Sequence, residues 1–279
     1  MSDSTRTSFD TPVSSEPVLP TSATWSILGH HSVGSLTLEI AEDGSVSGSV
    51  YGDPLRGSWD PSSRTLSFVR DPGGSDEGQD HQYYRGYRFT LPGAGGPVEV
   101  LAGCFDAFGG SGASAGANRF GWFALLRGLT TDGPPPGAHL YDTLEAALPT
   151  PPTPPTGFDE AMTIVANGYS GPLLLATMPA NPPGGPTWGD VFGENAAHVH
   201  GFVRVTKVDS GPYHQDLVLL RSPRYAADGL ADQVFRGQGV GVDLGGQSIV
   251  GWAGSFTALS GTGAPANRPE YGWFAVRLT

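Results

Sequence analysis

The sequence predicts an all-β protein of two tandem eight-stranded antiparallel up-and-down barrels, with a sandwich in each half as the alternative. Three observations carry this: abundant chain-breaking residues, short runs of period-2 alternation, and a pattern that the chain repeats once. Of 279 residues, 42 are Gly and 25 are Pro, about a quarter of the chain and too many for helical bundles. With 38% apolar and 10% aromatic residues there is material for a core, so Gly and Pro read as punctuation between strands.

The repeat fixes the number of units. The block Ile27 to Leu38 runs beside Ile164 to Leu175 at an offset of 137, Tyr51-Gly-Asp53 matches Phe192-Gly-Glu194 at 141, and Arg56 to Trp59 matches His200 to Val203 at 144. From Leu66-Ser-Phe-Val-Arg70 against Leu217-Val-Leu-Leu-Arg221 the offset is 151 and stays so. It holds for Gln82 to Gly86 against Gln233 to Gly237, Ala102 to Phe105 against Ala253 to Phe256, and Gly121-Trp-Phe-Ala124 against Gly272-Trp-Phe-Ala275. The offset grows only between blocks, as it must when insertions fall in loops and paired strands cannot slip register.

Within the first half, Leu36, Leu38 and Ile40 alternate with Thr37 and Glu39, and Asp43-Gly44 and Pro72-Gly73-Gly74 mark turns. About eight such runs per half suit a barrel that closes its edges and holds one small ligand. The expected organisation is a disordered arm over 1–23, a first barrel over 24–130, a Pro-rich spacer over 131–157 and a second barrel over 158–279. Ala138 to Leu148 adds a short helix to the spacer.

Composition excludes several classes. Fifteen Lys and Arg against 27 Asp and Glu give a net charge of −12 without a basic stripe, which argues against nucleic acid and anionic membrane surfaces. The single cysteine, Cys104, rules out an intrachain disulfide and fits a reducing compartment. No apolar run spans a bilayer and the first twenty residues have no apolar signal region, so the cytoplasm is the expected location.

On these motifs the chain resembles the avidin and streptavidin family of calycin barrels. Trp25 before Leu28-Gly29 is similar to that family's opening strand, Asp43-Gly-Ser-Val-Ser-Gly-Ser49 to its D-G-x-L-T-G-T strand, and Leu55-Arg-Gly-Ser-Trp-Asp60 to its L-x-G-x-Y-D strand. Gly86-Tyr-Arg-Phe89 resembles G-W-x-V, Trp252-Ala-Gly-Ser-Phe256 resembles W-S-G-Q-Y, and Trp122 and Trp273 stand where the last strand has W-L-L. The resemblance implies an arginine late in the last strand packed on the opening tryptophan, which Arg127 and Trp25 match; the second half has Arg277 and Met162. It also implies a ligand-wall role for Trp122, Trp252 and Trp273, with Leu101 at the first-half equivalent of Trp252. The family's polar biotin contacts fall near Ile27, His30, Val50 and Gly52 and are not reproduced, and Asp132 is a distant substitute for the closing aspartate. Biotin itself is therefore not the expected ligand.

The expected ligand-binding residues are Trp122, Trp252, Trp273, Phe105, Phe256, Arg85, Arg236 and Tyr87. The tryptophans also suit an ordinary barrel core. Alternation that puts Tyr83, Tyr87 and Phe89 inside puts Arg85 and Arg236 there too, to pair with Asp53 or Glu194 or to clamp a ligand carboxylate. His30-His31 and His198-x-His200 do not occupy equivalent positions and give no metal site, and no cofactor is expected. Cys104 aligns with Ser255 and reads as a small buried side chain. Gly109 to Gly116 precedes no helix and reads as a hairpin loop, not a phosphate cradle.

The leading expectation is a small-molecule-binding protein whose ligand is an anionic or amphipathic organic compound held in a barrel cavity. The alternatives are a barrel enzyme for cyclisation or isomerisation and a sugar-binding lectin. A fused pair resembles half of the family's tetramer, which leaves room for a further homodimer.

Overall fold

The computed structural model describes residues 19–71, 81–91, 96–108, 119–126, 134–151, 153–154, 156–177, 184–191, 197–206, 214–223, 233–258 and 270–279. The first sheet consists of β1 (Ser22–Gly29), β2 (Ser32–Ile40), β3 (Ser45–Val50), β4 (Asp53–Asp60), β5 (Thr65–Arg70), β6 (His81–Leu91), β7 (Val98–Phe108) and β8 (Arg119–Leu126). Each strand pairs antiparallel with the next. β8 returns to β1 from Trp25↔Leu126 to Gly29↔Trp122, closing an eight-stranded barrel.

Helix α1 (Pro136–Ala147) follows, then β9 (Glu160–Ala166), β10 (Tyr169–Thr177), β11 (Gly184–Val191) and β12 (Ala197–Thr206). β13 (His214–Pro223), β14 (Gln233–Asp243), β15 (Ser248–Ala258) and β16 (Glu270–Leu278) complete the chain. These eight strands form a second curled antiparallel sheet in the same neighbour order, and β16 pairs with β9 from Trp273↔Ala166 to Val276↔Thr163.

Two-residue turns set the register at the start of each sheet. Asn167 and Gly168, at φ 47° and 88°, form the primed turn that matches strand twist, and His30, at φ 53°, takes the left-handed conformation between β1 and β2. His30 and Asn167 then each donate a backbone N–H to a glycine carbonyl of the last strand, Gly121 at 3.0 Å and Gly272 at 3.3 Å.

The inner face of each sheet carries a matching ladder of rings, four in the first and three in the second, where Leu219 stands at the position of Phe68. In the first, Phe68 stacks on Tyr84 at 4.6 Å, Tyr84 on Phe105 at 4.7 Å and Phe105 on Phe120 at 5.1 Å, with Trp122 edge-on to Tyr84. In the second, Phe235 stacks on Phe256 at 4.7 Å and Phe256 on Tyr271 at 5.1 Å, with Trp273 edge-on to Phe235. Each buried ring contributes roughly 2 kcal/mol through the apolar area it removes from water, with about 1 kcal/mol more from stacked or edge-on geometry.

A third core lies between the sheets. Outward-facing Phe89, Phe123 and Leu125 of the first pack with Val240, Ala253 and Phe274 of the second, and Leu140, Tyr141 and Leu144 of α1 cap them. The segment expected as a spacer therefore contains a helix that is part of the packing. It starts at Pro136, earlier than Ala138, because the first helical position suits a residue with fixed φ and no N–H to satisfy.

The start of the fold also differs from expectation. β1 begins at Ser22, Leu19 is buried in the first core, and Thr21 accepts the Ile40 N–H at 2.9 Å. Residues 22 and 23 thus belong to the first sheet and 19–21 pack against it; 1–18 lie outside the described residues.

Candidate functional site

The inward placement of Arg85, Arg236 and Tyr87 is corrected by the structure. Gly86 and Gly237 are the inner-face residues: a β-carbon on either would collide with the ring of Trp122 or Trp273. Since successive side chains alternate, Arg85, Tyr87 and Arg236 must face outward. Tyr87 and Phe89, whose hydrophobicity suggests the core face, instead cover the seam between the sheets. Tyr87 donates its hydroxyl to Glu270 of β16, and Arg85 lies 3.6 Å from the same carboxylate. Arg85 therefore has a carboxylate partner, but it is Glu270 and not Asp53.

Trp122, Phe105, Trp252, Trp273 and Phe256 do face inward. Each central tryptophan donates its indole N–H to two strand carbonyls, Trp122 to Arg85 at 3.3 Å and Cys104 at 3.1 Å, Trp273 to Arg236 at 3.2 Å and Ser255 at 3.1 Å. These bonds explain why a tryptophan recurs: no other apolar ring carries that donor. Leu101 is likewise buried inside the first barrel, at the position equivalent to Trp252.

The arginine that lies with the inward residues of the first barrel is Arg70, at the end of β5. Its Nε donates to Asp53 Oδ2 at 2.8 Å, Nη2 pairs with the same oxygen, and Nη1 donates to Gln82 Oε1 at 3.1 Å. Tyr84 donates to that same Gln82 oxygen at 2.7 Å, and the guanidinium lies 5.5 Å above the Tyr51 ring. Burial raises the Tyr84 and Tyr51 phenols above their ordinary range, so both remain neutral.

The second sheet repeats the pair. Arg221 is fully buried and its Nη1 donates to Gln233 Oε1 at 3.0 Å. The signal for both was in the sequence: Arg70 and Arg221 close one matched block, and Gln82 and Gln233 open the next. What hides it is that Tyr87 and Phe89 of β6 are apolar because they cover the seam and not because they line the interior.

The Arg70 constellation is suited to recognition. Asp53 and Arg70 side chains are 25% and 22% exposed, so the pair reaches solvent at one end of the barrel above the aromatic ladder. Arg70 has five N–H donors, of which the contacts above use three, leaving capacity for a ligand oxygen.

The remaining predicted positions are dispersed. His31 Nδ1 is 2.9 Å from the Gly241 carbonyl oxygen of the second sheet, and the His30 ring lies 4.7 Å from Phe120. Among the described residues no group of three or more His, Cys, Asp or Glu could hold a metal ion. Cys104 faces the seam, its thiol donating to Gln238 Oε1 at 3.1 Å, and burial pushes it up to about 12. Trp25 and Met162 are both in inner cores, whereas Arg277 is exposed. Arg127, Asp132, Glu194 and the glycine-rich segment 109–116 lie outside the described residues, as does the side chain of His198.

No helix among the described residues is long and apolar enough to cross a membrane. Comparison of the chain with protein-family models, with curated proteins and with solved structures returns no match.

Proposed function

We propose that the chain is a tandem of avidin-like calycin barrels, the second sheet closing as the first does, that binds a small anionic or amphipathic organic molecule. The observation that carries this reading is the partly exposed Arg70, held by Asp53 and Gln82 at the barrel end above stacked rings. A guanidinium fixed by neighbours loses little entropy when it takes a ligand oxygen, and the rings below offer an apolar surface for the rest of the molecule. Trp122, Trp252 and Trp273 are enclosed. This favours a small-molecule binder over a lectin, whose sugar platform needs an exposed ring. Among the described residues no paired nucleophile and base accompanies Arg70, which favours binding over turnover.

Native mass spectrometry after incubation with a small-molecule extract tests the reading. The expected result is a bound acid of defined mass in the wild type that is lost from Arg70→Gln/Asp53→Asn, a pair that keeps hydrogen bonding while removing both charges. No adduct, or an adduct of unchanged stoichiometry in the double variant, would overturn it.

A further inference from the structure

The two sheets enclose a cleft of about 410 Å³ that belongs to neither interior. Its volume falls within the roughly 300–1,000 Å³ of small-molecule sites. Cys104 and Arg119 come to it from the first sheet, and Phe202, Val218, Arg236 and Glu270 from the second. We infer that this cleft is a binding site for a small amphipathic carboxylate, with Arg236 as its anchor.

The charge argument comes from comparing equivalent positions. Arg85 lies 3.6 Å from Glu270. Moving 151 residues along the repeat takes Arg85 to Arg236 and relates Glu270 to Arg119. One side of the seam therefore pairs an arginine with a carboxylate, while the corresponding place on the other side holds two arginines.

Arg119 is neutralised by Asp106, with Nε and Nη2 at 2.9 and 3.1 Å from its two oxygens. The position equivalent to Asp106 is Thr257, which also lines the cleft and brings no acid to it. Among the described residues Arg236 makes no ion pair. The cleft's carboxylates are committed elsewhere: Glu270 accepts from Tyr87 and faces Arg85, and Asp216 has interactions of its own. Arg236 is thus the open cation of the cleft, ready to take a carboxylate through two parallel N–H bonds.

The apolar half of the ligand is specified by the opposite wall. Phe202 and Val218 are register partners on β12 and β13, and Val218 is in turn the partner of Arg236 on β14. The phenylalanine is 50% exposed and the valine 42%, an apolar step beside the guanidinium. A molecule with an acid at one end and a ring at the other would satisfy both.

Calorimetric titration of the full chain with 4-phenylbutyrate, and with its neutral amide, tests the assignment. The acid is expected to bind at least about tenfold more tightly than the amide, the worth of a charge-assisted bond. Arg236→Gln is expected to erase that preference and Phe202→Ser to weaken both probes, while Arg56→Gln, on an exposed arginine of β4, changes neither. Both cleft residues are exposed, so the variants should melt with the wild type. Absence of binding, equal affinity for acid and amide, or unaltered affinity in Arg236→Gln would each overturn the inference.

Discussion

Phe123 and Phe274 stack with ring centroids 4.6 Å apart and planes 12° from parallel, and they are equivalent residues of β8 and β16. Contact between equivalent residues is what a two-fold relation produces at its axis. The surroundings obey the same relation. A β-carbon on Gly121 would stand 2.6 Å from the Ala253 carbonyl oxygen, and one on Gly272 would stand 2.6 Å from that of Ala102. The backbones of the two sheets approach so closely there that a side chain has no room on either side.

It follows that Phe123→Ala and Phe274→Ala should destabilise the protein by similar amounts, about 3–5 kcal/mol each. Gly121→Val and Gly272→Val should each cost about 1–3 kcal/mol by prising the sheets apart. Urea unfolding followed by tryptophan fluorescence measures all four. A large inequality within either pair would show that the seam is not symmetric in energy.

Trp122→Phe and Trp273→Phe provide a second matched pair. Each removes an indole N–H shared between two strand carbonyls and some buried volume, so a loss of about 2–4 kcal/mol is expected for each. If the tryptophans serve only as apolar filling, the loss will be nearer 1 kcal/mol. Equilibrium unfolding separates the two values.

The repeated pattern and its strand count were legible because alternation and turn chemistry are local. The matched offset of 151 makes Phe123 and Phe274 equivalent, whereas their meeting across the seam is a long-range contact that no local pattern carries. What could not be read was which face of β6 looked inward. Tyr87 and Phe89 are as hydrophobic as a core face because part of the outside of this barrel is itself buried against the other sheet. In such a strand both faces are apolar, and period 2 marks two faces without naming them. Gly86 resolves the choice, since only a bare inner position admits the Trp122 ring, but that contact is long-range.

At the barrel end, Asp53→Asn and Arg70→Gln should each cost more singly than half of what they cost together. Removing one charge leaves the other half-buried without its partner, whereas the double variant keeps a neutral amide pair. A double-mutant cycle from urea unfolding is expected to give a coupling of about 1 kcal/mol, reduced from a fully buried value by solvent screening. Zero coupling would mean that the ion pair does not hold Arg70 in place.

Glu160, at the start of β9, gives a pH-dependent prediction of definite sign. Burial holds its carboxyl above the ordinary range, Arg277 opposes that rise and Asp159 adds to it. A folded-state value above the unfolded one means that the native state favours the protonated acid. Stability is therefore lost as pH rises from the unfolded value of about 4.3 through the folded one, and the penalty persists at neutral pH. Glu160→Gln removes the ionisation and keeps the shape. Its melting temperature should match the wild type at pH 4 and exceed it modestly at pH 7, measured by calorimetry across that range. A gap that is constant with pH would show that the Arg277 attraction balances the cost of burying the charge, and one that turns in favour of the wild type at neutrality that it outweighs it.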